Sequence, residues 1–242
     1  MKISIRVLAA ACCLSFPAGA QTLPPADIYV LGEIHDNPAH HATQTRLVAE
    51  LDPTAVVFEQ LTDEQADRIT PETPRDAHVL GRILDWEESG WPDIAFYAPI
   101  MAASDAVILG AAGAPGDLSA YGLEEPLPAE EQTAREALQA EAHCGALPER
   151  MLPDFVVRQR AADALFASRT IAAFDAHGGP VVLITGNGHA RTDWSVPASI
   201  ARVRPELRVF SLIQGEGGAT LPGDAVVQAE APERPDPCAA FR

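Results

Sequence analysis

Short apolar runs alternate along the chain with longer segments in which apolar residues recur at helical spacing. The apolar runs predict strands over residues 27–31, 55–58, 106–111, 181–185, 208–213 and, more weakly, 225–228. The longer segments predict helices over 38–51, 62–69, 77–88, 94–104, 128–143 and 153–177. The 181–185 run holds four consecutive large apolar residues, which is typical of a parallel strand covered on both faces. This alternation predicts an α/β domain of three layers, α/β/α, with a mostly parallel central sheet and several helical insertions.

Turn and cap residues sharpen several boundaries of these elements. Pro38 stands at the first position of its helix, where the missing N–H is tolerated. Thr62 and Gln65 have the spacing of a capping box, and Gly178 follows the helix over 153–177. These signals indicate where the helices that leave the sheet begin and end.

The first twenty residues have the layout of a secretory signal peptide. Lys2 and Arg6 precede an apolar stretch over 7–16, and Ala-Gly-Ala at 18–20 forms a cleavage site. The apolar stretch is too short to cross a bilayer. A lipid anchor is less well supported, because Leu8 lies one residue too far from Cys12. We therefore expect a signal peptide over 1–20 and one domain over 21–242, periplasmic or secreted, ending in a Pro-rich tail over 231–242; an uncleaved apolar N-terminus is the alternative.

The charge of the chain restricts its partners. Without Lys2 and Arg6, the chain keeps 15 basic residues against 34 acidic ones, a net charge of −19. A field of that sign repels phosphate backbones and anionic lipid headgroups. The composition therefore argues against nucleic-acid and membrane-surface partners.

Two cysteines, Cys144 and Cys238, remain once the leader is removed. In an oxidising compartment such a pair favours a disulfide. The bond would hold the Pro-rich tail against the domain across a long loop. Two free thiols are the alternative.

Two turns of the same form, Gly-x-x-His, follow predicted strands: Gly32 to His35 and Gly186 to His189. Glu59 directly follows the strand over 55–58. In open α/β sheets, ligands bind at the carboxyl ends of the strands. If the three strands are neighbours, two imidazoles and one carboxylate converge at one edge of the sheet.

Several chemistries are open to this set. His35, Glu59 and His189 could ligate zinc or a similar divalent ion with an open coordination position. Glu33 could orient an imidazole or move protons, and the glycines leave room for a flat ligand beside His189. Neither nucleophile-elbow nor P-loop motifs occur. The residue types fit metal, haem or acid–base chemistry and do not choose among them.

Other polar residues carry weaker signals. Gln159 and Asp163 lie four residues apart on a predicted helix and could point together at the sheet edge, although a solvent-facing stripe is the default. His41 could face the site, although a solvated helix start is the default; Tyr97 is interpreted as a core or cap aromatic and His143 as a structural residue. None of these changes the candidate site.

Three stretches that carry these motifs, 31–41, 57–59 and 184–191, resemble the ChaN family of the haem-binding uptake and Tiki grouping, which is related in fold to erythromycin esterases. The segments 159–163 and 91–97 are also similar, so the likeness runs from about residue 27 to 213. It implies a three-layer α/β fold and an exported, often lipid-anchored protein that binds haem for iron acquisition. Tiki-type relatives are metal-dependent proteases, and by position their two histidines and glutamate correspond to His35, His189 and Glu59.

Tyrosine ligation of haem, which the resemblance suggests, has few candidates here: Tyr29, Tyr97 and Tyr121 are the only tyrosines. We therefore prefer His189 as the haem contact, with Arg191 available for a propionate. The full set of predicted haem contacts is His35, His189, Arg191, Gly186, Gly188 and Gln159.

The sequence thus favours an exported haem-binding protein involved in haem or iron uptake. The alternative is a metal-dependent hydrolase, a Tiki-like protease or an esterase, with Glu33 and Glu59 as catalytic carboxylates. Whether the protein is an enzyme stays open. Haem or another small molecule is the expected ligand, and a homodimer and an outer-membrane haem receptor are further partner hypotheses.

Overall fold

A computed structural model describes residues 23–236 and 238–239. The proposed signal peptide lies outside the described residues. The strands are β1 (Ile28–Glu33), β2 (Ala55–Thr62), β3 (Val107–Ala112), β4 (Val181–Gly186), β5 (Val209–Glu216) and β6 (Ala225–Ala229). The helices are α1 (Pro38–Leu51), α2 (Asp63–Ala66), α3 (Ala77–Ile83), α4 (Ile94–Met101), α5 (Ala129–Ala142), α6 (Leu152–His177), α7 (Asn187–Ala190) and α8 (Val196–Val203). None of the helices in the described ranges is long and apolar enough to cross a membrane.

The six strands form one sheet in the order β3-β2-β4-β1-β5-β6. All five neighbouring pairs run parallel. Strand β4 lies between β1 and β2, so the three strands that carry the predicted site are adjacent. The convergence of His35, Glu59 and His189 required these three strands to be neighbours, and they are.

Helices cover both faces of the sheet and give the predicted three layers. Alternate residues of each central strand point to opposite faces, as for Tyr29 against Val30 in β1. One face packs on α1, α3 and α4, and the other packs on α6 and α8. Every residue of β1 and β4 is buried, which explains the continuous apolar run over 181–185.

Local sequence signals account for several boundaries. The Asn37 side chain accepts a hydrogen bond from the Ala39 N–H (2.9 Å) and caps α1, with Pro38 as its first residue. The capping box of Thr62 and Gln65 is present at the start of α2. The helix predicted over 77–88 is shorter, because α3 ends at Ile83 and a 3₁₀ turn follows at Trp86–Glu88.

The sequence did not predict α7 or α8. Helix α7 is a single turn that starts at Asn187, inside the second Gly-x-x-His segment, so His189 lies on a helix and not in an open turn. Helix α8 does show helical spacing, since Val196, Ile200 and Val203 lie four and three residues apart. Strand β2 also continues past Phe58, so Glu59 lies within the strand, at the point where its pairing with β4 ends.

Cys144 and Cys238 form a disulfide, as predicted, with 94 residues of sequence separation. Cys144 follows the end of α5, and Cys238 lies in the C-terminal tail. The bond therefore attaches the tail to the end of α5.

Candidate functional site

The carboxyl ends of β1, β4 and β2 bring two histidine–carboxylate pairs to the two sides of Glu59. His35 pairs with Glu33, and His189 pairs with Asp163 of α6. Glu33 is directly opposite Gly186 in the register of β1 and β4. The sheet thus assembles the two Gly-x-x-His segments and Glu59 into one cluster, which we call the two-histidine site.

The carboxylate of Glu33 is buried and accepts three hydrogen bonds on one oxygen. His35 Nδ1 (2.8 Å), the Tyr97 hydroxyl (2.9 Å) and Gln60 Nε2 (3.1 Å) all donate to Oε1. Burial, followed by the charge of Glu33, raises the pKa of Tyr97, so the phenol keeps its proton and serves as a donor. These bonds fix the tautomer of the neutral His35 ring, because a proton on Nδ1 leaves the lone pair on Nε2.

His41 lies beneath this pair and is 2% exposed. Its Nε2 donates to the backbone carbonyl of His35 (2.9 Å), and its Nδ1 lies 3.5 Å from Glu33 Oε2. Phe96 stacks on the ring and Tyr97 packs against its edge. The structure therefore corrects the interpretation of His41 as a solvated helix start: it is a buried support of the site.

Glu59 lies between the two histidines. Its Oε2 accepts hydrogen bonds from Thr185 Oγ1 (2.6 Å) and from the backbone N–H of Gly186 (2.7 Å). Its Oε1 lies 3.8 Å from His189 Nε2. One oxygen is thus held by the neighbouring strand, while the other faces the imidazole of His189.

The second pair is more deeply buried. His189 Nδ1 donates to Asp163 Oδ1 (2.7 Å), and Gln159 Nε2 lies 3.1 Å from the same nitrogen and 3.4 Å from Nε2. Asp163 is 1% exposed, and Phe166 packs against the imidazole ring. The default interpretation of a solvent-facing stripe is therefore wrong for Gln159 and Asp163, which point together at His189 as the alternative had it.

The neighbouring carboxylates raise the pKa of both histidines. Burial lowers the pKa of His35, but the hydrogen bond to Glu33 and the charges of Glu59 and Glu33 outweigh it, so the pKa is raised. For His189, burial is again outweighed, here by Asp163 and Glu59, which raise the pKa to about 9. His189 is therefore protonated at neutral pH.

Two of the glycines are required by close packing. A Cβ on Gly186 would lie 2.9 Å from His35 Nε2, and a Cβ on Gly32 would lie 2.4 Å from Asn187 Oδ1. Gly188 differs, because the nearest atom to its Cβ would be Gln159 Nε2 at 3.8 Å. The two segments therefore need their first glycine so that the histidine and asparagine side chains can approach the backbone.

The arrangement of these side chains does not support a metal centre. In the part of the chain that the structure describes, no group of three or more His, Cys, Asp and Glu side chains has an arrangement that could hold a metal ion. Glu59 Oε2 is occupied by Thr185 and Gly186, and His189 Nδ1 by Asp163. The zinc alternative, with His35, Glu59 and His189 as ligands, is not supported.

A cleft of about 270 Å³ opens beside His189, between α5 and α6. We call it the α5–α6 cleft. Three predicted haem contacts line it, namely Gln159, Gly188 and Arg191. Arg191 forms a bidentate ion pair with Asp193 (2.9 and 2.7 Å) and stacks on Trp194 at 3.8 Å. The remaining lining residues are Arg135, Leu138, Gln139, Ala142, His143, Val156, Trp194 and Leu221.

Sequence reasoning missed several supports of the site. Gln60 and Thr185 are adjacent in sequence to Glu59 and Gly186, and that adjacency was the available signal. Asn187 exchanges two hydrogen bonds with the backbone of Gln214 on β5 (2.6 and 3.0 Å). It thereby anchors the segment that carries His189 to the sheet.

Comparisons with known proteins gave one family model and two solved structures. The family model described as "Haem-binding uptake, Tiki superfamily, ChaN" matches residues 20–200. A solved structure described as cofacial heme binding to ChaN of Campylobacter jejuni is 21% identical, with a TM-score of 0.65, over 82% of this chain and 85% of that one. The type III effector HopBA1 is 14% identical, with a TM-score of 0.45, over 84% of this chain and 88% of that one. No curated protein sequence matches significantly.

The family model covers about three quarters of the chain, including all three strands that carry the two-histidine site. The Campylobacter structure has the same fold over most of both chains. The chain belongs to the haem-binding uptake, Tiki superfamily, ChaN family.

Proposed function

We propose that the protein binds haem in the α5–α6 cleft and serves haem or iron uptake outside the cytoplasm. One observation carries the ligand assignment: of the described residues that line the cleft, none is acidic, although the chain has 34 acidic residues in all. Apolar side chains alternate there with Arg135 and Arg191. An apolar porphyrin with two carboxylates fits that chemistry.

Arg135 gives the cleft a donor for a propionate. The residue is 7% exposed, and its Nη1 has no hydrogen-bond partner among the described residues. Its other nitrogens bond Glu131, with Nε at 2.9 Å. Because a buried guanidinium N–H without an acceptor is costly, a ligand carboxylate placed there is favoured.

Titration of the purified protein with haemin tests the proposal. We expect a saturable Soret shift, and the Arg135→Gln variant should bind roughly tenfold more weakly because it loses a charge-assisted hydrogen bond. Arg46→Gln, on the exposed surface of α1, is the matched control. Gly188→Phe should abolish binding, since Gly188 lines the cleft beside Gln159 and the added ring would occupy the space proposed for the ligand. Unaltered binding by both Arg135→Gln and Gly188→Phe would place haem elsewhere.

Export and partners belong to the same proposal. The cleavage site after Ala20 and the Cys144–Cys238 disulfide both fit an oxidising compartment. Intact-mass analysis of protein from the native host should give a chain that begins at Gln21; a mass that includes residues 1–20 rejects the signal peptide.

Sedimentation with and without haemin tests the homodimer, and co-purification tests the proposed outer-membrane haem receptor.

A second candidate is a hydrolase that works without a metal. The observation that favours it is the pair of carboxylate-supported histidines on the two sides of Glu59. When His35 is neutral, its Nε2 can take a proton from water, and protonated His189 can donate one to a leaving group. Glu33 and Asp163 would hold the two rings in position.

A panel of aryl esters, lactones and peptides tests this candidate. We expect turnover that falls about 100-fold in His35→Ala, the loss typical of removing a general base. Gly188→Phe, which is expected to abolish haem binding, separates the two functions. No turnover of any substrate above the rate given by the His35→Ala variant would reject the hydrolase.

A further inference from the structure

A separate cavity of about 290 Å³ lies between the loop over 121–128, α6 and α8. We call it the α6–α8 cavity. A cavity of this kind, with apolar walls and a few polar groups, suits a small molecule. The apolar part of its wall includes Leu123, Leu127, Ala164 and Ala198. A ligand of this cavity is therefore small and partly apolar.

Three arginines also line the α6–α8 cavity, and one of them has no acidic partner. Arg135 forms an ion pair with Glu131, and Arg202 forms one with Glu125. Arg160 differs, because no carboxylate of the described chain lies within ion-pair distance of its guanidinium. Its Nη2 donates to two backbone carbonyls, at 2.9 and 3.0 Å. Arg160 is thus a cation whose charge no described side chain balances directly.

The remaining acidic residues of the cavity wall are paired with other cations. Asp163 pairs with His189, and Asp193 pairs with Arg191, both at 2.7 Å. Every carboxylate of the described wall is therefore matched to a positive charge, and Arg160 is left over. Because a guanidinium stays charged at neutral pH, the wall has a surplus of one positive charge. A ligand with a single negative charge balances it.

The surroundings of Arg160 make this surplus unfavourable when the cavity holds no anion. Burial, followed by the charge of Arg135, lowers the pKa of Arg160, so the two guanidinium groups repel each other. An anion close to both removes that repulsion. Asp163 also lines the cavity, and its Oδ2 is buried and accepts no hydrogen bond from a described residue. That oxygen repels a second negative charge, so the wall favours a monoanion over a dianion.

We propose that the α6–α8 cavity binds a small monocarboxylate with a compact apolar body, whose carboxylate pairs with Arg160. The planar guanidinium can donate two parallel hydrogen bonds to a carboxylate, and the apolar body packs on the leucine and alanine side chains of the wall. Arg160 lines this cavity and is not part of the lining of the α5–α6 cleft. The assignment therefore does not depend on haem binding.

Isothermal titration of the haem-free protein with benzoate and with hexanoate tests the proposal. We expect saturable binding of at least one acid with a Kd of about 1 mM or tighter. Benzamide has the shape of benzoate without its charge and should bind at least about tenfold more weakly, and the dianion phthalate should also bind more weakly. Arg160→Gln should weaken binding of the acid roughly tenfold, because it removes a charge-assisted hydrogen bond. Arg158→Gln removes the same charge from the exposed face of α6 and is the matched control.

A second variant keeps every charge and fills the space. Ser199 of α8 is half-buried and lines the cavity, so Ser199→Leu should abolish binding while far-ultraviolet circular dichroism stays native. Native affinity in both Arg160→Gln and Ser199→Leu overturns the assignment. So does equal affinity for benzoate and benzamide, or no binding of either acid with a Kd below about 10 mM. A protein that binds benzoate as described but gives no Soret shift with haemin loses the proposed function and keeps this assignment.

Discussion

Gly186 sets the distance between β4 and the ring of His35. The glycine has an ordinary extended φ of −63°, so its backbone conformation does not require glycine. The reason is contact: the space where a Cβ would stand holds His35 Nε2 and, farther away, Glu59 Oε2. At this position the absence of a side chain lets an imidazole pack on the end of a strand.

Gly186→Ala should therefore displace His35 from Glu33. We expect a loss of about 1–3 kcal/mol in the free energy of unfolding, as for other overpacked sites, and a lower pKa of His35. Denaturant unfolding and an NMR titration of His35 measure the two effects. Gly188→Ala is the control and should change the free energy of unfolding by less than about 0.5 kcal/mol, because its Cβ meets only ordinary contacts. Equal effects of the two substitutions would contradict this explanation.

The Asp163–His189 pair makes stability depend on pH with a definite sign. The folded-state pKa of His189, about 9, lies above its ordinary value of 6.5. Its contribution to stability is therefore complete below pH 6.5 and is lost as the pH rises through about 9. An NMR titration of the ring should give a midpoint near 9, and Asp163→Asn should lower it by about 1 to 3 pH units. A native midpoint near 6.5 would show that Asp163 does not hold the proton on the ring.

At the scale of elements, the sequence predicted the strands and helices whose formation is set by residues close together along the chain. Strand β4 follows from its apolar run, and α1 from Asn37 and Pro38. The site was predicted from residues at or just after the ends of the apolar runs, as Glu59 and His35 are. The role of Tyr97 was not predicted, and Asp163 was named only as an alternative to a solvent-facing stripe, because both reach the site from helices whose packing is set by tertiary contacts. Helix α7 was missed because one turn is too short for periodicity to show.

The disulfide joins the end of α5 to the C-terminal tail. It closes a loop of 94 residues between the end of α5 and the tail. Cys238→Ser should lower the free energy of unfolding by about 2–5 kcal/mol, the usual cost of removing a native disulfide. Urea unfolding measures the loss, and Cys144→Ser should give a similar value, since both break the same bond. A difference between native and Cys238→Ser that persists in reductant would point to a cause other than the bond.

At the scale of the whole molecule, the acidic surface and the α5–α6 cleft act on haem in opposite ways. The chain has a formal net charge of −17, and haemin with two ionised propionates is also anionic. At long range the two repel each other, and this repulsion is screened by salt because the Debye length falls from about 10 Å at 0.1 M to about 3 Å at 1 M. In the proposed complex, Arg135 and Arg191 would contact the propionates within the cleft, where salt has less influence.

The rate of haemin association should therefore rise with ionic strength, while the dissociation rate changes little. We expect roughly a two- to fivefold faster association at 0.5 M than at 0.02 M salt, measured by stopped-flow absorbance with monomeric haemin. Haemin dimethyl ester, whose propionates carry no charge, is the matched control and should show no such increase. An association rate that falls with salt would mean that the two arginines govern the approach as well as the bound state. In that case the positive charge of the cleft would attract haemin from outside the cleft, despite the negative field of the acidic surface. The arginines would then serve to capture haem and not only to hold it.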